Sequence, residues 1–334
     1  MSNEVIDIST TAGKYKKWAL EARRDFIALR LNQDKEIKQM YIDITKRITK
    51  ELKKGEMSAF SEKRLKQIIK QLNREIKLLD EQLSFNFEDY LRKNIEVATN
   101  YSKAILINAI ESAGISKVSK SVITKIFSEL NTRTLEAYWA RSKNGLFLSD
   151  NIWSKNVKYR DTITKILQTA VAEGQDCVKT ARMLDEYVLK GKKTLVDNYP
   201  NMIKRMGNRI PSDVSYEALR LARTEMTAAY GEGVLVAAKV NPATQGIKYI
   251  LSKSHPKKDI CDDITGSDNY GLGIGVYPID NPPVYPFHPH CLCVVLTVNE
   301  QPDDLVARLK RWNENPGSEP SMENWYQNIY KKMA

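Results

Sequence analysis

Apolar residues in the first third of the chain recur at the spacing of one helix face. Two runs of such positions are separated by the segment GEMSAFSEK, residues 55–63, and the positions between them are mostly Lys, Arg, Glu and Gln. Steps of three and four residues are typical of helices that pack along a narrow seam. The apolar positions are Ile37, Tyr41, Ile44, Ile48 and Leu52 before the break, and Leu65, Ile69, Leu72, Ile76, Leu79 and Leu83 after it.

The two runs predict a long antiparallel helical hairpin over residues 1–115. Ser58 or Ser61, with Glu62 close behind, is a candidate N-cap for the second helix. Because one narrow apolar stripe buries little surface by itself, we expect this arm to pack on another subunit. A self-contained helical bundle is the alternative.

The pattern stays helical in the middle of the chain and changes near the C-terminus. A further helix is predicted from about Val214 to Val240. Beyond Asn241, the short runs GIKYILS and CVVLTV are rich in residues that favour strands. They enclose an irregular stretch of about forty residues. A stretch of that length in a compact domain is usually held by a cross-link or has a functional role.

These patterns predict an α+β fold that is predominantly α. We divide the chain into four segments. The helical hairpin of residues 1–115 is an assembly arm, and a basic helical region covers residues 116–210. A small loop-rich α+β domain follows at 211–300, and a C-terminal tail with a last short helix at 301–334.

Composition narrows the classes of function. The net charge is +11, and residues 116–210 hold 18 Lys+Arg against 9 Asp+Glu. A basic balance suggests an anionic neighbour such as nucleic acid, and a solvated helical surface is the alternative. No run of 18 apolar residues occurs, so no membrane span is expected. The first residues do not resemble a secretory signal, which predicts a protein made in a cytosol, where four cysteines do not indicate disulfides.

The densest chemistry lies in the segment YPFHPHCLC, residues 285–293. It contains His288, His290, Cys291 and Cys293, and Cys261 lies upstream in the irregular stretch. A structural zinc ion takes four nitrogen or sulfur ligands, which Cys261, one of the two histidines, Cys291 and Cys293 supply. The alternative is that the cysteines are simply buried.

A catalytic interpretation is also open on paper. The carboxylates of Asp259, Asp262 and Asp263 are candidates for general-base or metal chemistry, and Cys291 with His255 or His288 is a candidate nucleophile pair. The chain lacks the H-E-x-x-H, G-x-S-x-G and P-loop motifs. We therefore predict that the protein is not an enzyme and has no catalytic residues.

Two charged residues on the predicted helix before the irregular stretch are candidate structural residues. Arg223 and Glu225 are two positions apart, so they do not face the same way. Each is expected either to hold the irregular stretch by ion pairs and bonds to backbone carbonyls, or to lie on an exposed charged face.

The order of these features resembles a known family. ARTEMTAAYGEG on a helix is followed by Asp259, Cys261 and Gly266 in a D-x-C-x-x-x-x-G pattern, and then by PP…HP-x-C-x-C, which contains Pro289. This succession is similar to the C-terminal domain of phage Mu F-type minor head proteins, also called phage head morphogenesis or minor capsid proteins. The match covers residues 145–298. It departs from the family form in the spacing before His288 and in Leu292, which replaces an Arg.

The resemblance implies a structural protein of a tailed phage or prophage virion. Such proteins are made in the bacterial host cytoplasm, lie inside the capsid at the portal vertex, and act in head morphogenesis, genome packaging or DNA ejection. The implied partners are the portal protein and the major capsid or scaffold protein, with non-specific contact to double-stranded DNA. The family domain has no catalytic activity of its own.

The resemblance also sharpens the metal prediction. His290 falls at the variable position of the family pattern, so the expected set is Cys261, His288, Cys291 and Cys293, with one structural zinc ion. Two other functions remain as alternatives, a zinc-dependent nuclease and a DNA-binding module without a structural role.

Overall fold

A computed structural model shows the fold of most of the chain. It describes residues 3–54, 60–141, 148–198, 215–255 and 257–334, together with positions 200, 203, 204 and 213. The chain forms two compact units that are interleaved in sequence. Unit 1 contains residues 1–30, 90–140 and 223–334, and unit 2 contains residues 31–89 and 141–222.

Helices dominate the described residues. A first group precedes the sheet: α1 (Asn3–Ala12), α2 (Lys16–Lys53), α3 (Glu62–Ala113), α4 (Lys120–Ala140), α5 (Leu148–Ala172), α6 (Cys177–Lys190), α7 (Lys192–Asn198) and α8 (Tyr216–Val240). The remaining elements are β1 (Thr244–Ile250), α9 (Ile260–Gly266), β2 (Val276–Tyr277), β3 (Val294–Asn299), α10 (Pro302–Glu314) and α11 (Pro320–Trp325). The predicted class, α+β and predominantly α, is confirmed.

The apolar stripes of the first third form a hairpin seam in unit 2. All five predicted positions on α2 are at most 1% exposed, and Leu72, Leu79 and Leu83 on α3 are equally buried. Leu65 and Ile69 are only half-buried, and the buried position in that turn is Ile68. The Arg64 N–H donates to Ser61 Oγ at 3.3 Å, so Ser61 is the N-cap. Ser58 lies outside the described residues.

The seam of unit 2 is covered by helices of the same chain. The Tyr41 hydroxyl on α2 donates to Asn156 on α5 at 3.1 Å, and Thr45 and Tyr159 share a hydrogen bond of 2.8 Å. The Thr49 hydroxyl donates to Asp185 on α6 at 3.0 Å. The stripe therefore has the packing of the self-contained alternative, and its burial does not require another subunit.

The sheet of unit 1 has three antiparallel strands in the order β2-β1-β3. Ile247 on β1 pairs with Tyr277 on one side and with Thr297 on the other. The two β-rich runs predicted from the sequence are confirmed as β1 and β3. The irregular stretch between them contains the short helix α9 and the short strand β2, which the pattern did not predict.

The C-terminal segment belongs to the core of unit 1. Trp312 on α10 is fully buried, and its indole N–H donates to Glu323 at 2.8 Å. The Trp325 indole N–H donates to the Val240 carbonyl at the end of α8 at 2.9 Å. Residues 301–334 therefore pack as part of unit 1.

The functional roles given above to the four sequence segments remain predictions. No described helix has both the length and the apolar character that a bilayer span requires.

Candidate metal centre

The first wall of the Cys/His cluster is built at the start of α9. Asp259 is the N-cap, and its carboxylate accepts the Cys261 N–H at 2.8 Å. The Asp262 carboxylate in turn accepts the Asp259 N–H at 2.9 Å, which completes a capping box. Such a box satisfies amide groups that a helix start leaves unpaired. It fixes Cys261, which is 0% exposed, at the first turn.

A glycine lets the following loop return close to this helix. Gly275 has φ of +67°, and a Cβ there would lie 2.7 Å from the carbonyl oxygens of Thr265 and Tyr249. A larger side chain would therefore push the loop away from α9 and β1.

The second wall comes from the residues just before β3. Cys291 and Cys293 are 0% and 2% exposed, and the backbone around them is held from several sides. The Tyr285 hydroxyl donates to the Cys293 carbonyl at 2.6 Å. Thr227 on α8 donates to the Cys291 carbonyl at 3.3 Å. These bonds satisfy backbone oxygens that an irregular segment would otherwise bury unpaired.

Residues from the N-terminal part of unit 1 also hold this loop. Arg23 on α2 donates to the Leu292 carbonyl at 3.1 Å and pairs with Glu4 on α1 at 2.8 Å. The Glu4 carboxylate also accepts the Lys253 N–H at 3.2 Å. The sequence did not indicate the contacts of Arg23 with Leu292 and of Glu4 with Lys253, because each joins residues more than 240 positions apart.

Six side chains meet between the two walls as two overlapping donor sets. Within each set the ligand atoms all lie within 4.8 Å of one another. The first, which we term the histidine set, is His255, Asp259, Cys261 and His288; the second, the thiolate set, is Cys261, Cys291 and Cys293. Cys261 belongs to both. The described residues therefore contain a cluster with the ligand types and spacing to hold a metal ion.

The thiolate set has a spacing typical of a tetrahedral metal site. The Cys261 and Cys291 sulfurs are 3.8 Å apart. Two sulfurs that each bind zinc at about 2.3 Å in a tetrahedron are separated by about 3.8 Å. The same three cysteines also pack against Leu251, Tyr285 and Phe287, so the burial expected in the alternative interpretation is present as well.

The histidine set is more exposed and includes two residues, His255 and Asp259, that were not in the predicted ligand set. His288 Nε2 is 3.1 Å from the Cys261 sulfur and 3.5 Å from the Asp259 carboxylate. His255 Nε2 is 3.5 Å from Asp259 and 3.0 Å from Asp262. The sequence placed His255 in the same patch as Asp259 and Cys261. Its spacing of six residues from Cys261 gave no motif that marked it as a ligand.

The pKa values of the carboxyl groups and of the buried thiols in the cluster are shifted by different causes. Hydrogen bonds from the backbone N–H of Cys261 to Asp259, and of Asp259 to Asp262, lower the pKa of each carboxyl group. A hydrogen bond from Cys293 lowers the pKa of the Cys291 thiol to about 6. Burial raises the pKa of Cys261, and the bond to Cys291 together with burial raises that of Cys293. A bound cation would replace the thiol protons.

The other predicted residues, Arg223, Glu225, Gly266 and Pro289, belong to neither donor set. Arg223 and Glu225 both lie on α8. The Glu225 carboxylate accepts a hydrogen bond from the Tyr138 hydroxyl on α4. Gly266 is the exposed last residue of α9. Pro289 is exposed, and its carbonyl oxygen is 2.8 Å from His288 Nδ1, so it orients that ring.

His290 lies in neither donor set, which agrees with its expected role as the spare histidine. Its backbone is left-handed, with φ of 64°, and its N–H donates to Thr224 Oγ1 on α8 at 3.4 Å. This geometry turns the chain between His288 and Cys291.

Comparison with known proteins gives no match for the chain. No protein-family model matches it, no curated protein matches it, and no solved structure matches it. Function therefore has to be argued from the residues and their geometry.

Proposed function

We propose that this chain is a phage minor head protein of the Mu F type, a structural component of the portal vertex. The observation that carries the proposal is the convergence of the family-like motif residues. Asp259, Cys261, His288, Cys291 and Cys293 come from segments up to 34 residues apart and meet in one cluster. The resemblance rested on the order of these motifs along the chain. Because their residues lie close together in the fold, the motifs can act as one site.

We propose that the cluster binds zinc as a structural ion. Cys261, His288, Cys291 and Cys293 are the residues expected to hold it, with Asp259 beside His288. The three cysteines are at most 2% exposed, which suits an ion that ties segments together better than one that meets substrates. When bound, a zinc ion with four ligands cross-links a segment that has little apolar core.

An assembly contact is supported by exposed apolar residues on α3 of unit 2. Leu78 is 49% exposed and Phe85 is 75% exposed, and they are seven residues apart, which places them on one helix face. Large apolar side chains that share an exposed face are common at sites of protein association. We propose that this pair contacts the portal protein, and that the major capsid or scaffold protein is a second neighbour.

Contact with packaged DNA is the third part of the proposal. The basic excess of residues 116–210 favours counterion release at phosphates, which needs no base recognition. Binding should weaken steeply with salt and should not depend on base sequence.

A pull-down with a portal protein of a tailed phage or prophage of the same host tests the assembly role. The wild-type chain should retain the portal protein, and the double variant Leu78→Asp with Phe85→Ala should lose it. Lys77→Ala, on the neighbouring face of α3, is the matched control and should bind as the wild type does. Absence of this chain from purified virions, together with no portal retention, would overturn the proposal.

A zinc-dependent nuclease is the second candidate. It is favoured by the exposure of His288 and Asp259 in the histidine set and of the neighbouring Asp262, which each keep about 30% of their side-chain surface exposed next to buried thiols. A nuclease would cleave plasmid DNA with zinc, magnesium or manganese, and His288→Ala and Asp259→Ala would abolish cleavage. Intact plasmid under all three conditions would remove this candidate. Salt-dependent DNA binding by a chain absent from virions would instead favour a DNA-binding module.

A further inference from the structure

The cluster contains more ligands than one structural ion uses. A tetrahedral zinc ion takes four ligands, whereas six metal-binding side chains meet here. The two donor sets divide these six, and only one residue is common to them. His288 illustrates the division, because it is grouped with His255 and Asp259 and not with Cys291 and Cys293.

We propose that the cluster holds two divalent metal ions bridged by the Cys261 thiolate. One ion is bound by the histidine set, which offers two imidazole nitrogens, one carboxylate oxygen and the shared sulfur. The other is bound by the thiolate set, with three sulfurs and a remaining position for a small ligand from solution. This inference rests on the proposed structural metal site and extends it from one ion to two. It also assigns His288 to the ion of the histidine set and not to the ion bound by Cys291 and Cys293.

The charge of the ligands favours two ions over one. Three thiolates and the Asp259 carboxylate carry four negative charges, and two divalent cations carry four positive charges. A single divalent ion would leave two negative charges, one on the buried thiolates and one on Asp259, whose side chain is 30% exposed. The buried part of this excess is costly without compensation, and a second cation supplies that compensation.

The position of Cys261 suits a bridging ligand. Its sulfur is 3.8 Å from the Cys291 sulfur on one side and 3.1 Å from His288 Nε2 on the other. Its backbone is fixed by the Asp259 cap, so the sulfur stays between the two sets. A thiolate has several lone pairs and binds two soft or borderline cations at once.

Asp262 lies beside the histidine set and is not a member of it. Its carboxylate lies 3.0 Å from His255 Nε2 and is held by the Asp259 N–H. Because one ring nitrogen cannot bind an ion and keep a hydrogen bond to a carboxylate at the same time, an ion on His255 Nε2 would replace the contact with Asp262.

Metal stoichiometry of the full chain tests the proposal. The protein is stripped with a chelator, reloaded with excess zinc under reducing conditions, freed of unbound metal and subjected to elemental analysis. About two zinc ions per chain are expected from the two donor sets. A value near one would overturn the bridged pair and leave the proposed structural zinc intact. A value near zero would overturn both.

Variants assign the two ions to their sets. His255→Ala should reduce the zinc content from about two to about one, while cobalt-loaded protein keeps its thiolate-to-cobalt charge-transfer band. Cys293→Ser should also lose one ion, but with a weaker band. His290→Asn and Cys177→Ser, outside both sets, are the matched controls and should retain two ions. Retention of two ions by a folded His255→Ala protein, verified by circular dichroism, would contradict the assignment.

Discussion

The hairpin part of unit 2 and the loop-rich segment 251–293 of unit 1 keep their shape by different means. In the hairpin, Ile44, Leu52, Leu72 and Leu79 are fully buried along a continuous seam. In the loop-rich segment, the centre consists of three cysteines flanked by half-buried aromatic residues. Apolar burial can stabilise long helices without other help, whereas a short irregular segment has too little apolar surface and depends on polar ligands.

Removal of metal should have the largest effect and should be confined to the loop-rich segment. Structural zinc contributes ~10 kcal/mol or more to the folding of small zinc-dependent domains, and no such contribution is expected in the hairpin. Hydrogen exchange with and without a strong chelator measures this difference. Amides of residues 251–293 should lose protection, and those of 31–53 and 62–89 should keep it. Equal exchange in the loop-rich segment under both conditions would count against a metal clip.

Truncation of the seam should have the next largest effect, and it should not depend on metal. Leu79 is 0% exposed and Leu78 is 49% exposed, so they form a matched pair on α3. Leu79→Ala should lower the free energy of unfolding by ~2–5 kcal/mol because it leaves a cavity. Leu78→Ala should change it by less than ~0.5 kcal/mol. Urea denaturation, with and without chelator, tests both values. If Leu79→Ala lowers the free energy of unfolding only when metal is bound, the hairpin is not independent of the metal.

Two helix caps provide a smaller and sharper test. Asp176 caps α6 in unit 2 by accepting the Lys179 N–H at 2.7 Å, and Asp259 caps α9 in unit 1. Asp176→Ala should cost ~1 kcal/mol whether or not zinc is present. Asp259→Ala should cost more with zinc than without it, because it removes a cap and a metal neighbour together. If zinc leaves the Asp259→Ala cost unchanged, Asp259 acts only as a cap.

Acidification should have the smallest effect on the metal-free protein. The pKa values of Asp259 and Asp262 are lowered by their hydrogen bonds, so these carboxylates stabilise the fold above the ordinary carboxyl pKa of about 4. That contribution is lost only as the pH falls through their lowered values. Zinc should leave at a higher pH, since histidine nitrogens and thiolates take up protons first. A zinc indicator and far-ultraviolet circular dichroism follow the two events, and simultaneous transitions would contradict the order.

The sequence predicted the fold class, the hairpin and the strands β1 and β3 because each depends on local periodicity. Ile44 and Leu79 could be identified as core residues from spacing alone, and both are buried. The coverage of the seam could not be predicted in this way. It depends on pairs such as Tyr41 with Asn156, which are 115 positions apart and have no sequence signal.

The candidate metal cluster was only partly predictable. Cys261, His288, Cys291 and Cys293 were found from residue type and density, and the structure places them in two overlapping donor sets that share Cys261. His255 was left out of the ligand set because its approach depends on how α9 and the preceding loop fold. The roles of Arg23 and Glu4 also had no sequence signal, because these residues of the N-terminal helices reach the loop backbone only in the folded chain.

Anomalous diffraction at the zinc absorption edge, from crystals grown with zinc, tests the central claim most directly. We predict strong anomalous density among Cys261, His288 and Cys291, bounded by Cys293 on one side and by His255 on the other. An ordered cluster without anomalous density would contradict a metal-held domain. A disulfide between Cys261 and Cys291 in crystals grown with zinc and a reductant would contradict it as well.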